Sequence, residues 1–367
     1  MKIALIMLTN GSVSGGAAKY LRHMIPLLSE GERIDELRIF LPKGALSDIP
    51  GDWPIVSWEA SGRRGKQELR KALEAFAPDV IFIPTARHFS FGAVPVVTMV
   101  RNMEPLRTPF GANHWVDRIK TLARRFAAKK ASQQGDRVIA VSDHVSEFLT
   151  ERWSIPEARI DVVPHGVEAP SEPERPDALP DLGGKPFVFS MGSIRPARGL
   201  TDLIAAMGDK RLSPDLQMVF AGKVDKGAER YHREVMTLAR QRGVLDRLHW
   251  VGHVGPAQTS WLFRNSDLFV MTSRVEACPN TVLEAMRHGC LSVSTDDPPM
   301  PEFFGDGALY YRAGDPVSLA KRMDVALNLP TAEARSYRNA AAMRADRFTW
   351  DRTAEATLAV LAKAVAG

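Results

Sequence analysis

Short apolar runs rich in β-branched residues alternate with stretches of helical period along most of the chain, and this alternation restricts the fold more than any other feature. In the first half, strands are expected at 3–8, 36–41, 80–83, 94–100, 137–141 and 160–163, with helices including 17–29, 66–76 and 145–152 between them. Each run is too apolar for a strand with one face in water. Such strands need cover on both faces, which parallel sheets receive from their crossover helices.

The pattern breaks at 168–186, where five prolines and the adjacent Gly183 and Gly184 leave no room for a helix or a central strand. This segment is expected to be a linker. The alternation resumes with strands at 187–191, 218–221, 248–251, 268–271 and 291–294, and helices at 199–207, 228–241, 258–264, 280–288 and 316–327. The tail, 332–366, has helical character interrupted at Phe348-Thr349-Trp350. A length of 367 residues suits two domains, each with its own core. The predicted fold class is therefore α/β, with two doubly wound Rossmann-like domains facing across a cleft, at 1–167 and 187–347. Ligands are expected at the carboxyl ends of the strands.

Composition excludes other classes. Cys278 and Cys290 are the only cysteines, so no disulfide framework is available. No apolar run approaches the ~18 residues of a membrane span. The N-terminal apolar run, 3–8, turns polar and glycine-rich without a cleavage-type sequence and reads as a buried strand rather than a signal peptide. A cytoplasmic protein is expected. The net charge of +5 resides in residues 1–167, with 23 basic and 18 acidic side chains, whereas 168–367 carries 25 of each. The first half is the one suited to an anionic partner.

Three strand-to-helix junctions hold groups suited to sugar and phosphate. In 272–290, TSRVEACPNTVLEAMRHGC, Glu276 precedes a helix start near Asn280 and Thr281, and Glu284 is expected in that helix's first turn. The unpaired amides of the helix start attract phosphate, and carboxylates accept hydrogen bonds from hydroxyls. In 189–200, FSMGSIRPARGL, Arg195 and Arg198 supply guanidinium groups that fork onto phosphate oxygens. In the opening loop, 9–16, Gly15 and Gly16 let backbone approach a ligand closely just before a helix. Each junction taken alone is also met as a capped helix, a solvated basic loop or a tight turn.

Taken together and in this order, the motifs resemble those of the retaining glycosyltransferases of family 4, which have the GT-B fold. The hallmark is a pair of glutamates separated by seven residues and followed by Ala-Met and Gly, here Glu276, Glu284, Ala285-Met286 and Gly289. The resemblance implies that Glu276 meets the donor sugar's hydroxyls, Glu284 the ribose, and Arg198 the diphosphate. The family has an arginine directly after the glycine, where this chain has Ser193; Arg195 is the candidate replacement for that charge. Arg195, Arg198 and Glu276 are the expected catalytic residues. The donor site is completed by Gly15, Gly16, Ser193, Val254 of the segment 251–254, Asn280 and Thr281. The segments 140–149 and 162–167 also match, with His165 where an asparagine is usual, and His165 is expected to be structural. The tail motif Phe348-Thr349-Trp350 implies that the last helix, 348–367, crosses back to the first domain, with Trp350 as a packing anchor.

Many relatives carry a histidine after the strand corresponding to 94–99. Here Arg101, Asn102 and Glu104 stand in that region as acceptor candidates, and no general base is assigned. No metal ligand is expected, because Asp296-Asp297 is not an Asp-x-Asp motif and guanidinium groups with helix amides can stabilise a leaving diphosphate. No cofactor is expected beyond a UDP- or GDP-linked sugar as substrate. The expected activity is retaining transfer to an acceptor hydroxyl of a glycan or glycolipid, in polysaccharide, lipopolysaccharide or glycoconjugate synthesis. A nucleotide-sugar epimerase or hydrolase of the same fold, or a catalytically silent nucleotide-sugar-binding protein, is the alternative.

The segment 115–130 sets Trp115, Ile119, Leu122 and Phe126 on one helical stripe amid six basic residues. The stripe is expected to pack on its domain with the charges solvated. The alternative is peripheral contact with anionic lipid at the inner face of a membrane. Nucleic acid is not an expected partner, since no stacking aromatics are interleaved with the basic residues.

Overall fold

The computed structural model describes residues 1–9, 15–31, 33–48, 51–59, 62–107 and 115–367. Within this set the side chains of 46–48, 107 and 115–120 are not described, so Trp115 and Ile119 of the basic stripe lie outside the account, as do residues 10–14 of the opening loop. The chain divides into two compact units: Met1–Leu106, Val116–Gly166 and Thr349–Gly367 form the first, and Arg107–Trp115 with Val167–Phe348 the second.

The first unit carries a seven-stranded sheet of β1 (Lys2–Ile6), β2 (Glu36–Pro42), β3 (Ile55–Trp58), β4 (Val80–Ile83), β5 (Val96–Val100), β6 (Arg137–Ala140) and β7 (Ile160–Val162). Its order is β3-β2-β1-β4-β5-β6-β7, and every pairing is parallel. All residues of β4 and β5 are buried, as expected of strands covered on both faces. The helices are α1 (Gly15–Ser29), α2 (Gly62–Phe76), α3 (Glu104–Arg107), α4 (Trp115–Gln134) and α5 (Asp143–Trp153). Local chemistry sets the ends of α5: the buried Ser142 accepts from the Val145 amide at its start, and Ser154 closes it in the left-handed region at φ 55°.

The second unit carries a six-stranded parallel sheet of β8 (Phe187–Met191), β9 (Gln217–Ala221), β10 (Leu248–Gly252), β11 (Leu268–Met271), β12 (Ser292–Thr295) and β13 (Leu309–Tyr311). Its order is β10-β9-β8-β11-β12-β13. The helices are α6 (Leu200–Met207), α7 (Glu229–Gln241), α8 (Pro256–Asn265), α9 (Asn280–Arg287), α10 (Met300–Phe304), α11 (Pro316–Leu327) and α12 (Thr331–Ala345). Val188, Leu203, Phe220, Val270, Leu319 and Met323 lie at the centre of its core.

Two strands escape the sequence pattern, β3 and β13. They are edge strands of four and three residues, too short to show a period. The segment 168–186 has no helix or strand, but it is not a free tether. Glu174 N donates to Ala257 O at 3.1 Å and Ser171 N to Ser260 Oγ at 3.0 Å, which fastens it to α8 of the second unit.

The last helix, α13 (Trp350–Ala366), belongs to the first unit, where it lies against α1 and strands β4 to β6. Trp350 anchors it. Its indole stacks on His23 at 4.6 Å and 11° and on His165 at 6.2 Å and 26°. A Cβ at Gly166 would sit 2.3 Å from Trp350 N, so glycine is what permits this approach.

Candidate functional site

A doubly wound sheet offers its ligand site where the strand order reverses. In the second unit β8 is flanked by β9 and β11, so the reversal falls between β8 and β11. The loops leaving these two strands contain Gly192–Gly199 and Thr272–Pro279, which include Ser193, Arg195, Arg198 and Glu276 of the residues singled out from sequence.

The two loops are tied together. Thr272 Oγ1 donates to Arg198 O at 2.7 Å, and Arg274 N donates to Ala197 O at 2.8 Å. Gly199, at φ +61°, packs where a Cβ would lie 2.3 Å from Thr272 O. Arg198 closes the short turn Pro196–Arg198, and its Nη1 donates to Ser273 Oγ at 2.9 Å and to Glu276 Oε1 at 2.8 Å. Both side chains of this ion pair are only 14% exposed. The guanidinium lies over Gly192, whose φ is +134° and where a Cβ would fall 2.6 Å from Arg198 Cζ. Arg198 Nε is buried with no hydrogen-bond partner among the described residues, an unfilled donor at the heart of the loop pair.

A second ion pair braces this arrangement, and sequence reasoning did not find it. Arg274 Nη2 donates to Asp202 Oδ1 at 2.7 Å, and Gly314 N donates to Asp202 Oδ2 at 2.9 Å. The Tyr311 hydroxyl approaches the same carboxylate oxygen at 3.4 Å. Burial, with the nearby Asp202 charge adding to it, raises the Tyr311 pKa, so this phenol stays a donor. Asp202 itself is 4% exposed. Arg274 and Asp202 stand 72 positions apart, which is why no local motif reveals them.

Helix α9 begins at Asn280 after Pro279. The Val282 and Leu283 amides donate to Pro279 O, while those of Asn280 and Thr281 have no acceptor among the described residues. Asn280 Oδ1 is buried without a partner. The Thr281 hydroxyl turns inward onto Met271 Sδ at 3.8 Å, so its amide, not its side chain, is the group left for a ligand. Glu284 corrects one expectation: with the helix starting at Asn280 it lies in the second turn, not the first. Its carbonyl accepts from His288 Nδ1 at 2.7 Å.

The remaining sequence candidates are placed as follows. Arg195 Nη1 faces Asp225 Oδ2 at 3.4 Å, at the loop that follows β9. Ser193 is half-buried directly after Gly192. Val254 is half-buried after β10, beyond a register shift at Trp250 and Gly252. In the first unit, Gly15 and Gly16 open α1, and Arg101 Nη2 donates to Gly16 O at 2.5 Å. Arg101 also lies over the Tyr20 ring at 5.0 Å. Asn102 Oδ1 accepts from Glu104 N at 2.9 Å in an Asx turn just ahead of α3, with Glu104 in that helix's first turn. His165 is 3% exposed between Tyr20 and Trp350; burial first, and the Arg101 charge second, hold its pKa well below the ordinary value.

Among the described residues no group of three His, Cys, Asp or Glu side chains is placed to hold a metal ion. His249 and His253 are four positions apart, but they lie on β10 and just beyond it rather than on a helix, and His249 Nε2 is bonded to Gln217 Oε1 at 2.9 Å.

Comparison with known proteins gives a consistent picture. Residues 172–343 match the family described as Glycosyl transferases group 1, and residues 14–169 match Glycosyltransferase Family 4. The D-inositol 3-phosphate glycosyltransferase of Segniliparus rotundus is 26% identical over 241 residues, which is 64% of this chain and 54% of that protein. The chain thus spans about half the length of the curated relatives it matches. HepE of Anabaena, solved with UDP-glucose, superposes with a TM-score of 0.78 at 17% identity, covering 99% of this chain and 100% of that one. WaaG, a glycosyltransferase involved in lipopolysaccharide biosynthesis, superposes at 0.71 with 14% identity, covering 98% and 99%.

Proposed function

Since this chain is a GT-B glycosyltransferase of family 4 type, we propose that it transfers a sugar from a nucleotide donor to an acceptor hydroxyl with retention of anomeric configuration, and that its second unit holds the donor. The observation that carries the assignment is the Arg198–Glu276 pair at the β8/β11 reversal, beside the unfilled amides that open α9. A diphosphate offers oxygens to Arg198, including its unfilled Nε, and to the Asn280 and Thr281 amides. The sugar's hydroxyls then take Glu276, and the ribose takes Glu284. HepE, solved with UDP and with UDP-glucose, makes UDP-sugars the first donors to test, with GDP-sugars next.

In this reading the chain provides position and charge. The bond from the anomeric carbon to the donor phosphate oxygen breaks as the acceptor oxygen approaches the same face, and that phosphate oxygen accepts the acceptor's proton. Arg198 and the α9 amides stabilise the negative charge that develops on the diphosphate, so transfer is expected to proceed without a divalent metal. Arg195, turned to Asp225, is assigned a secondary role at the edge of this site. The acceptor is assigned to the first unit, where Arg101, Asn102 and Glu104 follow β5, and a glycan or glycolipid hydroxyl is the proposed acceptor.

The test is incubation with a panel of UDP- and GDP-sugars, with and without sugar acceptors, in the presence and absence of EDTA. Acceptor-dependent nucleotide release, with the product's anomeric proton coupling matching the donor's, supports the proposal. An altered sugar still attached to its nucleotide would make the protein an epimerase. Binding without product would make it a silent nucleotide-sugar-binding protein, and loss of turnover in EDTA would refute metal independence.

A further inference from the structure

Two large apolar side chains on α4, Leu122 and Phe126, stand one helical turn apart and are 61% and 71% exposed. Among the described side chains of this helix, those that pack inward are small. Ala128, Ala131 and Ser132 are buried, and Ser132 Oγ donates to Ala128 O at 3.0 Å. The expectation that the apolar stripe packs on its own domain therefore fails for Leu122 and Phe126: small side chains let the helix approach closely, and the large ones are left in water.

The surroundings of this face are cationic. Arg125 and Lys129 are half-buried and Lys130 is exposed, at helical positions flanking Leu122 and Phe126. None of these three makes an ion pair among the described residues. The sequence holds no Asp or Glu from 118 to 135. An exposed leucine and phenylalanine forgo the burial that usually drives such side chains inside, and a surrounding collar of cations says what kind of surface would cover them.

We propose that this face of α4 docks on an anionic lipid bilayer, with Phe126 and Leu122 entering the acyl boundary and Arg125, Lys129 and Lys130 meeting lipid phosphates. A second copy of the chain is a poorer occupant. A two-fold contact through this face would set cation against cation, with no carboxylate between 118 and 135 to offset them. The proposal goes beyond the sugar-transfer reading and stands apart from it, because it concerns only what covers α4.

The full chain is mixed with phosphatidylglycerol-rich vesicles or with pure phosphatidylcholine vesicles and floated on a density gradient. Flotation with the anionic vesicles alone, weakening as salt is raised, is the expected result. The Leu122→Ser/Phe126→Ser double variant should lower the bound fraction's partition constant by about tenfold or more. Its thermal unfolding should match wild type, since both side chains are already in water. A Lys129→Gln/Lys130→Gln variant should flatten the salt dependence. Wild-type protein remaining at the bottom of the anionic gradient overturns the proposal, as does a double variant that floats like wild type. Concentration-dependent dimerisation in sedimentation velocity, abolished by the double variant and unaccompanied by vesicle binding, would assign the face to a second copy instead.

Discussion

Arg198 and Glu276 hold each other at 2.8 Å, with both side chains largely buried. A donor that engages both must divide this pair, giving the guanidinium phosphate oxygens and the carboxylate sugar hydroxyls. Removing one partner leaves the other buried and uncompensated. Arg198→Ala should lower kcat about 10²–10³-fold, the usual cost of deleting one donor aimed at developing negative charge. Arg198→Lys should recover only part of this, since an ammonium cannot fork onto two oxygens. Initial rates of nucleotide release measure it, and a wild-type rate in Arg198→Ala would remove this residue from the mechanism.

Gly192 sets the stage for that arginine. Its φ of +134° lies where L side chains are strained, and an added Cβ would meet the Arg198 guanidinium at 2.6 Å. Gly192→Ala should therefore displace Arg198 and weaken donor binding and turnover together, with kcat/KM falling roughly tenfold or more. Nucleotide affinity by calorimetry alongside kcat/KM checks this. Unchanged values in both would mean that Arg198 keeps its place by other contacts.

Asp202 acts through Arg274, which in turn meets the Arg198 turn through its backbone. Asp202→Asn keeps the shape and an acceptor for Gly314 N but removes the charge that holds Arg274. The expected outcome is a fall in kcat of about tenfold with nucleotide affinity less affected, because alignment matters most at the transition state. Asp202→Glu should restore part of the rate. Equal loss of affinity and turnover in both variants would mark the brace as general stability rather than alignment.

Cover on both faces turns β4 and β11 into uninterrupted apolar runs and leaves β5 and β9 one polar residue each, Thr98 and Gln217, so these central strands were readable. The edge strand β3 was not, since Ile55 and Val56 are only half-buried and Ser57 is exposed, which leaves four residues without a pattern. At the candidate site, Arg198 and Glu276 were visible through their strand-to-helix context. Asp202 and Arg274 were not, because only folding brings side chains 72 residues apart into one ion pair. The α4 stripe shows the limit of periodicity. It announces that one helical face is apolar, but whether protein or water meets that face depends on Ala128, Ala131 and Ser132 taking the inward positions first.

His165 gives the protein a specific acid sensitivity. It is buried between Tyr20 and Trp350, and burial together with the Arg101 charge depresses its pKa well below 6.5. Above about pH 6.5 the histidine is neutral in both folded and unfolded chains and contributes no pH dependence. Below that value the unfolded chain binds a proton that the folded chain refuses, so stability falls as pH falls, by up to about 1.4 kcal/mol per pH unit for this group until the folded pKa is reached. His88, His249 and His288, also depressed chiefly by burial, act in the same direction, so the contribution of His165 has to be read by difference. His165→Asn removes the titration and also the ring contacts, and should cost about 0.5–1.5 kcal/mol near neutral pH. Between about pH 7 and pH 5 its melting temperature should then fall by less than that of wild type. Parallel curves for the two proteins across that interval would show that His165 takes up its proton in the folded state and that the acid sensitivity lies with the other three histidines.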